Sequence, residues 1–214
     1  MGDTSNATEK VYLALKTKIT SGEMEAGSHL GAAVIAERLE TSRTPVREAF
    51  NRLAAEGLVT VVPNRGAYVT EWSSQDSEEI FELRFLLEGH AASLAAKKIS
   101  PQQLSKLRDL AAQMERVSKP GLARDLQALA ILNVEFHKTI IAASGNKRLG
   151  ALIATVFEFA IQSQTFRQYS EAELRRSMRH HNEIIAALSA GDSEWASSVI
   201  RSHYRAARHV YQDH

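Results

Sequence analysis

The chain has no cysteine among its 214 residues, so neither disulfides nor thiolate metal ligands take part in its structure. Only four prolines interrupt it, which leaves helix open along most of its length. Aromatic residues make up 7% of the sequence, and no apolar run reaches the roughly 18 residues that a membrane span requires. The opening MGDTSNATEK lacks a basic stretch followed by an apolar one. A secretory signal is therefore not expected, a cytoplasmic location is the default, and no membrane partner is implied. An excess of one charge is missing as well. The formal net charge is +1, and residues 1–72 hold 8 Lys and Arg against 9 Asp and Glu. A nucleic-acid-binding function then needs a local cluster of cations rather than a basic domain.

What the sequence does have is a change of period. Val11, Leu15 and Ile19 recur at four-residue spacing and predict a first helix that ends at Ser21-Gly22. A loop through Gly27 leads to Gly31, after which Ile35, Ala36 and Leu39 give a short second helix. Ser42 is the expected N-cap of a third helix, with Pro45 tolerated in its first turn and Val46, Ala49, Phe50 and Leu53 facing inward. Glu56-Gly57 closes that helix. Leu58–Val62 is then a β-branched run, Pro63-Asn64-Arg65-Gly66 a turn, and Ala67–Thr70 a returning strand. These elements predict a winged helix-turn-helix over residues 1–70. The segment Glu71–Asp76 is a linker, and residues 77–214 carry no strand signal. Helical patterns cover 77–98, 101–117, 122–144, 147–169, 171–190 and 192–210, broken at Ser100-Pro101, Pro120-Gly121, Gly145-Asn146, Ser170 and Gly191. The expected fold class is mainly α: a winged helix-turn-helix followed by an all-helical, six-helix effector-binding bundle.

In the third helix Arg43 and Arg47 lie four apart on the face opposite Val46, Phe50 and Leu53, with Thr44 beside them and Asn51 further along. Arginines at a helix N-terminus suit the major groove, where guanidinium pairs bidentately with guanine O6 and N7. Thr44 and the first-turn amides beside Ser42 are placed to meet phosphate. In the hairpin, Arg65-Gly66 puts a cation and a bare backbone near the tip, for the minor groove or flanking phosphates. An ordinary solvated helix face has the same spacing, so the pattern alone leaves both readings open.

The run Ser42-Arg43-Thr44-Pro45-Val46-Arg47-Glu48-Ala49-Phe50, followed by Leu53, Glu56-Gly57-Leu58-Val59 and Asn64-Arg65-Gly66-Ala67, closely resembles the GntR family of bacterial transcription regulators. The resemblance implies that Arg43 and Arg47 read bases, that Thr44 holds the DNA backbone and that Gly66 tips the wing. It also implies a homodimer on a short palindrome of double-stranded DNA. Two positions depart from the pattern. The turn between helices two and three usually carries Gly, where this chain has Glu40, and a polar residue is common near Ala33. Glu82-Leu83-Arg84 with Leu87-Glu88, Asn133 and Phe136-His137 with Gly145-Asn146, His181 with Ile184, Gly191-Asp192 and His203 extend the resemblance to the effector (FCD) domain of the FadR-like branch. Six helices rather than seven favour the shorter, VanR-like subgroup.

The residues of the second half also point to a site on their own account. Asn133 and His137 share one helix face with Leu126, Ala130 and Ile141, while His181 lies in line with Ile185 and Leu188. His203 is in line with Val199, Ala207 and Val210. Three inward histidines on three helices suit zinc, nickel or iron in a bundle core. Three hydrogen-bonded core histidines, or imidazoles that meet an organic ligand without metal, are the alternatives. The resemblance places Asp where this chain has Asn133, so this chain offers a neutral carbonyl instead of a charged oxygen. Arg84 is a candidate to clamp the carboxylate of a small effector, or else forms a surface i,i+4 pair with Glu88. Arg148 is a second effector candidate. His29, His90, His180, His209 and His214 are expected at the surface, Arg175, Arg176 and Arg179 on a solvated face, and Trp195 in packing with Val199. No nucleophile motif, phosphate loop or general base supports an enzyme. A ligand-responsive repressor is the expected function, and a constitutive DNA-binding protein with a structural helical half is its rival.

Overall fold

The computed structural model describes residues 2–20, 22–63, 65–71, 74–119, 124–156 and 166–212, and the chain divides at residues 73 and 74 into two compact units. Among the described residues no helix is long and apolar enough to cross a membrane.

The first unit runs α1 (Gly2–Thr20), β1 (His29–Leu30), α2 (Ala32–Arg38), α3 (Arg43–Ala55), β2 (Val59–Val62) and β3 (Gly66–Val69). Its three strands are antiparallel in the order β1-β3-β2. The stripes read from the sequence meet in one core: Val11, Leu15 and Ile19 of α1 pack with Ile35, Val46, Phe50 and Leu53, under Leu58, Ala67 and Val69. Strand β1 was not expected. It is only two residues long, too short for a period-2 pattern, and pairs His29 with Tyr68 and Leu30 with Ala67. Helix α1 also starts earlier than its apolar stripe, inside the polar N-terminal stretch.

Two backbone positions decide the local geometry. At Gly66 φ is +100°, and a Cβ there would stand 2.5 Å from the Leu30 carbonyl oxygen. Glycine is therefore required by the approach of β1. At the end of α2, the Thr41 N–H donates to the Ala36 carbonyl and the Glu40 N–H to the Glu37 carbonyl, a Schellman closure with Glu40 at φ 49°. The same closure after α3 places Gly57 at φ 70°. Glu40 thus occupies a left-handed position that favours glycine.

The second unit comprises α4 (Ser74–Ala96), α5 (Pro101–Val117), α6 (Leu126–Ala143), α7 (Lys147–Val156), α8 (Glu171–Ser189) and α9 (Ser193–Gln212), with residues 166–168 also helical. Ser100 and Ser170 each form a capping box, with Gln103 and Glu173, and Asp125 caps α6 through the Ala128 amide. Helix α4 begins inside the expected linker. The helix expected over 122–144 begins at Leu126, and of the one expected over 147–169, residues 147–156 and 166–168 are helical while 157–165 lie outside the described residues. The Pro120-Gly121 break, Ser21, Asn64 and His214 lie outside the described residues. Helix α9 packs along α4, α6 sits against α5 and α4, and α8 contacts α5, α9 and α4.

Replacing Glu40 by glycine should stabilise the first unit. Relieving one left-handed non-glycine residue is worth about 1 kcal/mol. Urea unfolding of Glu40→Gly should shift to higher midpoint with unchanged slope, and an unchanged or lowered midpoint would contradict this account.

Candidate functional site

In the first unit α3 buries Pro45, Val46, Ala49, Phe50 and Leu53 and leaves Ser42, Arg43, Thr44, Arg47 and Asn51 exposed. Ser42 is the N-cap, as expected, but its side chain makes no capping hydrogen bond. Arg43, Arg47 and Asn51 line one groove with Arg65 and Gly66 of the hairpin and Ala33 of α2. No carboxylate lines that groove among the described residues. Four acids of this unit are engaged elsewhere: Glu48 accepts from Thr8, Glu9 pairs with Arg52, Glu23 with Lys18, and Glu56 takes Tyr12 and Lys16. A net-acidic unit therefore presents a locally cationic groove, with the charge bias confined to one face. Gly66 contributes by strand packing, which is a sufficient reason for glycine there. Exposed His29 donates from Nε2 to the Arg65 carbonyl, 2.5 Å away, and so braces the turn that carries Arg65.

The second unit brings its three predicted histidines together. His137 of α6, His181 of α8 and His203 of α9 are 1%, 0% and 5% exposed, and a ligating atom from each lies within 4.8 Å of the others. Ring centroids are 4.9 Å apart for His181 and His203, 5.4 Å for His137 and His203, and 6.0 Å for His137 and His181. Asn133, one turn before His137, is buried too. Its Oδ1, His137 Nε2, both nitrogens of His181 and His203 Nδ1 have no hydrogen-bond partner among the described residues. Buried polar atoms are rarely left unpaired, and here the three imidazoles that carry most of them come together. Burial drives the His181 imidazole well below its usual 6.5, helped by His137 and His180, and does the same to His203 beside His181. Both rings are neutral near pH 7, the form that ligates a metal.

Helix α4 supplies what the sequence reading missed. Its buried stripe of Phe81, Arg84, Glu88, Ala91 and Ala95 contains two opposite charges. Arg84 Nε donates to Glu88 Oε1 at 2.8 Å, and its Nη2 donates to the Tyr204 hydroxyl at 2.5 Å. Glu88 Oε2 lies 2.9 Å from His137 Nδ1, and the Tyr204 oxygen is 3.1 Å from the same nitrogen. Burial by itself would raise the Glu88 carboxyl, but Arg84 and then His137 hold it at about 2. Burial pushes Tyr204 well above 10, so its hydroxyl keeps its proton and donates to Glu88.

The expected alternative for Arg84, a surface pair with Glu88, is corrected. The pair exists but is 3% and 2% exposed, locked to Tyr204 and His137. Arg148 is exposed on α7, whose Leu149 and Ile153 face inward. His180 is half-buried rather than at the surface, its ring 5.8 Å from His203 and its Nδ1 unpaired. Trp195 remains 37% exposed and donates to Glu183. The signal for Glu88 was available as a second charge one turn after Arg84, inside an apolar stripe.

Comparison with known proteins agrees with the two units. Residues 7–69 match the bacterial regulatory proteins of the gntR family, and residues 79–206 match the FCD domain. The chain belongs to the GntR family of transcriptional regulators. This GntR regulator is 30% identical to a probable D-xylose utilization operon transcriptional repressor of Paenarthrobacter nicotinovorans, over 88% of this chain and 81% of that protein. It is 29% identical to the regulator McbR of Escherichia coli, over 84% of this chain and 81% of the relative. The solved structure of E. coli McbR/YncC matches with a TM-score of 0.77 and 26% identity over 97% of each chain.

The buried groups predict how stability follows pH in metal-free protein. His181 and His203 have folded pKa values below the unfolded 6.5, so the unfolded chain binds more protons as pH falls beneath that point. Stability should therefore decline from about pH 6.5 downward, by up to about 1.4 kcal/mol per pH unit for each imidazole. Glu88 adds a second loss between its unfolded 4.5 and about 2. Denaturation midpoints that stay flat between pH 7 and 5 in chelator-treated protein would contradict neutral buried imidazoles.

Proposed function

We propose that this GntR-family chain is a ligand-responsive repressor, acting in the cytoplasm as a homodimer on a palindromic DNA operator and controlled by a small carboxylate in its helical unit. The observation that carries the DNA reading is the groove lined by Arg43, Arg47 and Arg65 with Asn51 and without a carboxylate. Guanidinium groups held on a rigid helix suit guanine in the major groove, and the exposed Ser42 and Thr44 at the start of α3 suit phosphate. Arg65 lies on the wing, where minor-groove or flanking phosphate contact fits.

The helical unit offers a donor set that fits a divalent transition metal: three imidazoles, and the Asn133 carbonyl oxygen that has no partner among the described residues, all buried. Zinc, nickel or iron match that chemistry. A bound ion supplies a positive centre and open coordination positions for an anion. Because Asn133 is neutral, the ion keeps its full charge, which favours a carboxylate effector at the cluster. Arg84 and Arg148 are not assigned to the effector, since the first is held by Glu88 and Tyr204 and the second is exposed on α7. Among the described residues of this unit, residues 166–168 add a seventh helical segment to α4–α9, so the expected six-helix count, and with it the preference for the shorter VanR-like subgroup, is not carried forward.

Arg47→Ala should weaken binding to the DNA upstream of the protein's own gene by about 1–3 kcal/mol and relax preference at one base pair. Fluorescence anisotropy across a salt series measures both. If the wild-type chain prefers no sequence over random DNA, even after selection from a randomised pool, the repressor reading fails. Asn133→Asp should strengthen zinc binding on the order of tenfold by adding a charged oxygen ligand. Calorimetric titration that finds equal or weaker binding in the variant would remove Asn133 from the donor set.

A further inference from the structure

The trio of histidines is asymmetric. Among the described residues His181 has neither nitrogen paired and His203 leaves Nδ1 unpaired, but His137 is tied through Nδ1 to a carboxylate that two other residues hold. We propose that Glu88, clamped by Arg84 and Tyr204, is a positioning residue for His137. It accepts the Nδ1 proton and leaves Nε2 as the ring's free lone pair. The inference rests on the metal reading above and assigns α4 a part in that site.

The hydrogen-bond chemistry fixes the direction. Arg84 has only donors, and it donates to Glu88 Oε1 at 2.8 Å and to the Tyr204 oxygen at 2.5 Å. A carboxylate paired with guanidinium is ionised and accepts only, so the proton in the 2.9 Å contact belongs to His137 Nδ1. The Tyr204 oxygen, 3.1 Å away, takes a share of the same proton. His137 Nε2 is then the nitrogen left without a partner among the described residues, and the ligating atoms of His137, His181 and His203 lie within 4.8 Å of one another. A histidine whose second nitrogen is held by a carboxylate is the usual arrangement behind a metal-binding imidazole. A pair that served stability alone would close on itself, and apolar side chains of similar volume would do as well. Here the second carboxylate oxygen is spent on the imidazole.

The test uses full-length, chelator-stripped protein, zinc alone as the probe, and Glu88→Gln. Glutamine keeps the length of the side chain, and its carbonyl oxygen can still accept from Arg84. Its amide would donate to His137 Nδ1, which moves the ring proton to Nε2. Imidazole ¹H–¹⁵N correlation spectra should show His137 protonated at Nδ1 in the wild type and at Nε2 in the variant. Zinc affinity should fall about 10- to 100-fold. Should the single variant fail to fold, Arg84→Met with Glu88→Gln removes the guanidinium charge that Glu88 no longer balances and carries the same comparison. A wild-type His137 protonated at Nε2, or a folded variant with unchanged zinc affinity, overturns the proposal. A wild-type chain that takes up no zinc overturns the metal reading alone, and the His137 tautomer then still decides the positioning role.

Discussion

The second unit depends on a buried ion pair that has to be satisfied at every atom. Arg84 and Glu88 are 3% and 2% exposed, and either charge alone in that position would cost several kcal/mol. Their placement one turn apart on α4 makes the pairing local, while Tyr204 and His137 tie it to α9 and α6. Three helices are thereby held in one register by polar contacts that tolerate little displacement. The apolar stripes around them, Leu129, Phe136, Ile184 and Leu188 among others, supply the burial energy. The network supplies the specificity of arrangement.

The first unit meets the opposite problem, how to offer positive charge from a sequence with none to spare. Three of its carboxylates, Glu9, Glu48 and Glu56, are taken up by contacts between α1 and the α3 segment, with Arg52, Thr8 and Lys16. Arg43 and Arg47 are left facing a groove that Arg65 closes. Composition averages over faces and so hides this separation. The folded unit shows it because α3 buries one side and α1 covers another.

Much of this was legible in the residues. The helical periods placed α3 and its outward arginines, and the three inward histidines converge as their stripes required. Other features escaped for definite reasons. Strand β1 is two residues long and leaves no period to read. Gly66 reads as a wing tip, yet its steric cause is the Leu30 carbonyl, 36 residues away. Glu88 looks like a surface partner of Arg84 because charged residues at i,i+4 are usually exposed. Only the neighbouring alanines and Phe81 reveal that the stripe faces in. Arg148 follows a motif residue in sequence but sits on the exposed side of α7. Spacing conveys which residues share a face, and tertiary packing decides which face is inside.

Charge balance links the histidine cluster to the kind of effector it would take. Glu88 is neutralised by Arg84, His181 and His203 are neutral, and Asn133 carries no charge. A divalent ion on these imidazoles would add two positive charges to a buried region whose Glu88 is already committed to a guanidinium. At low dielectric such an excess is strongly unfavourable unless an anion accompanies it. With Asp at position 133, half of that charge would be met by the protein itself. With Asn the whole of it is left for a ligand, so metal and carboxylate should bind as a coupled pair, each raising the affinity of the other.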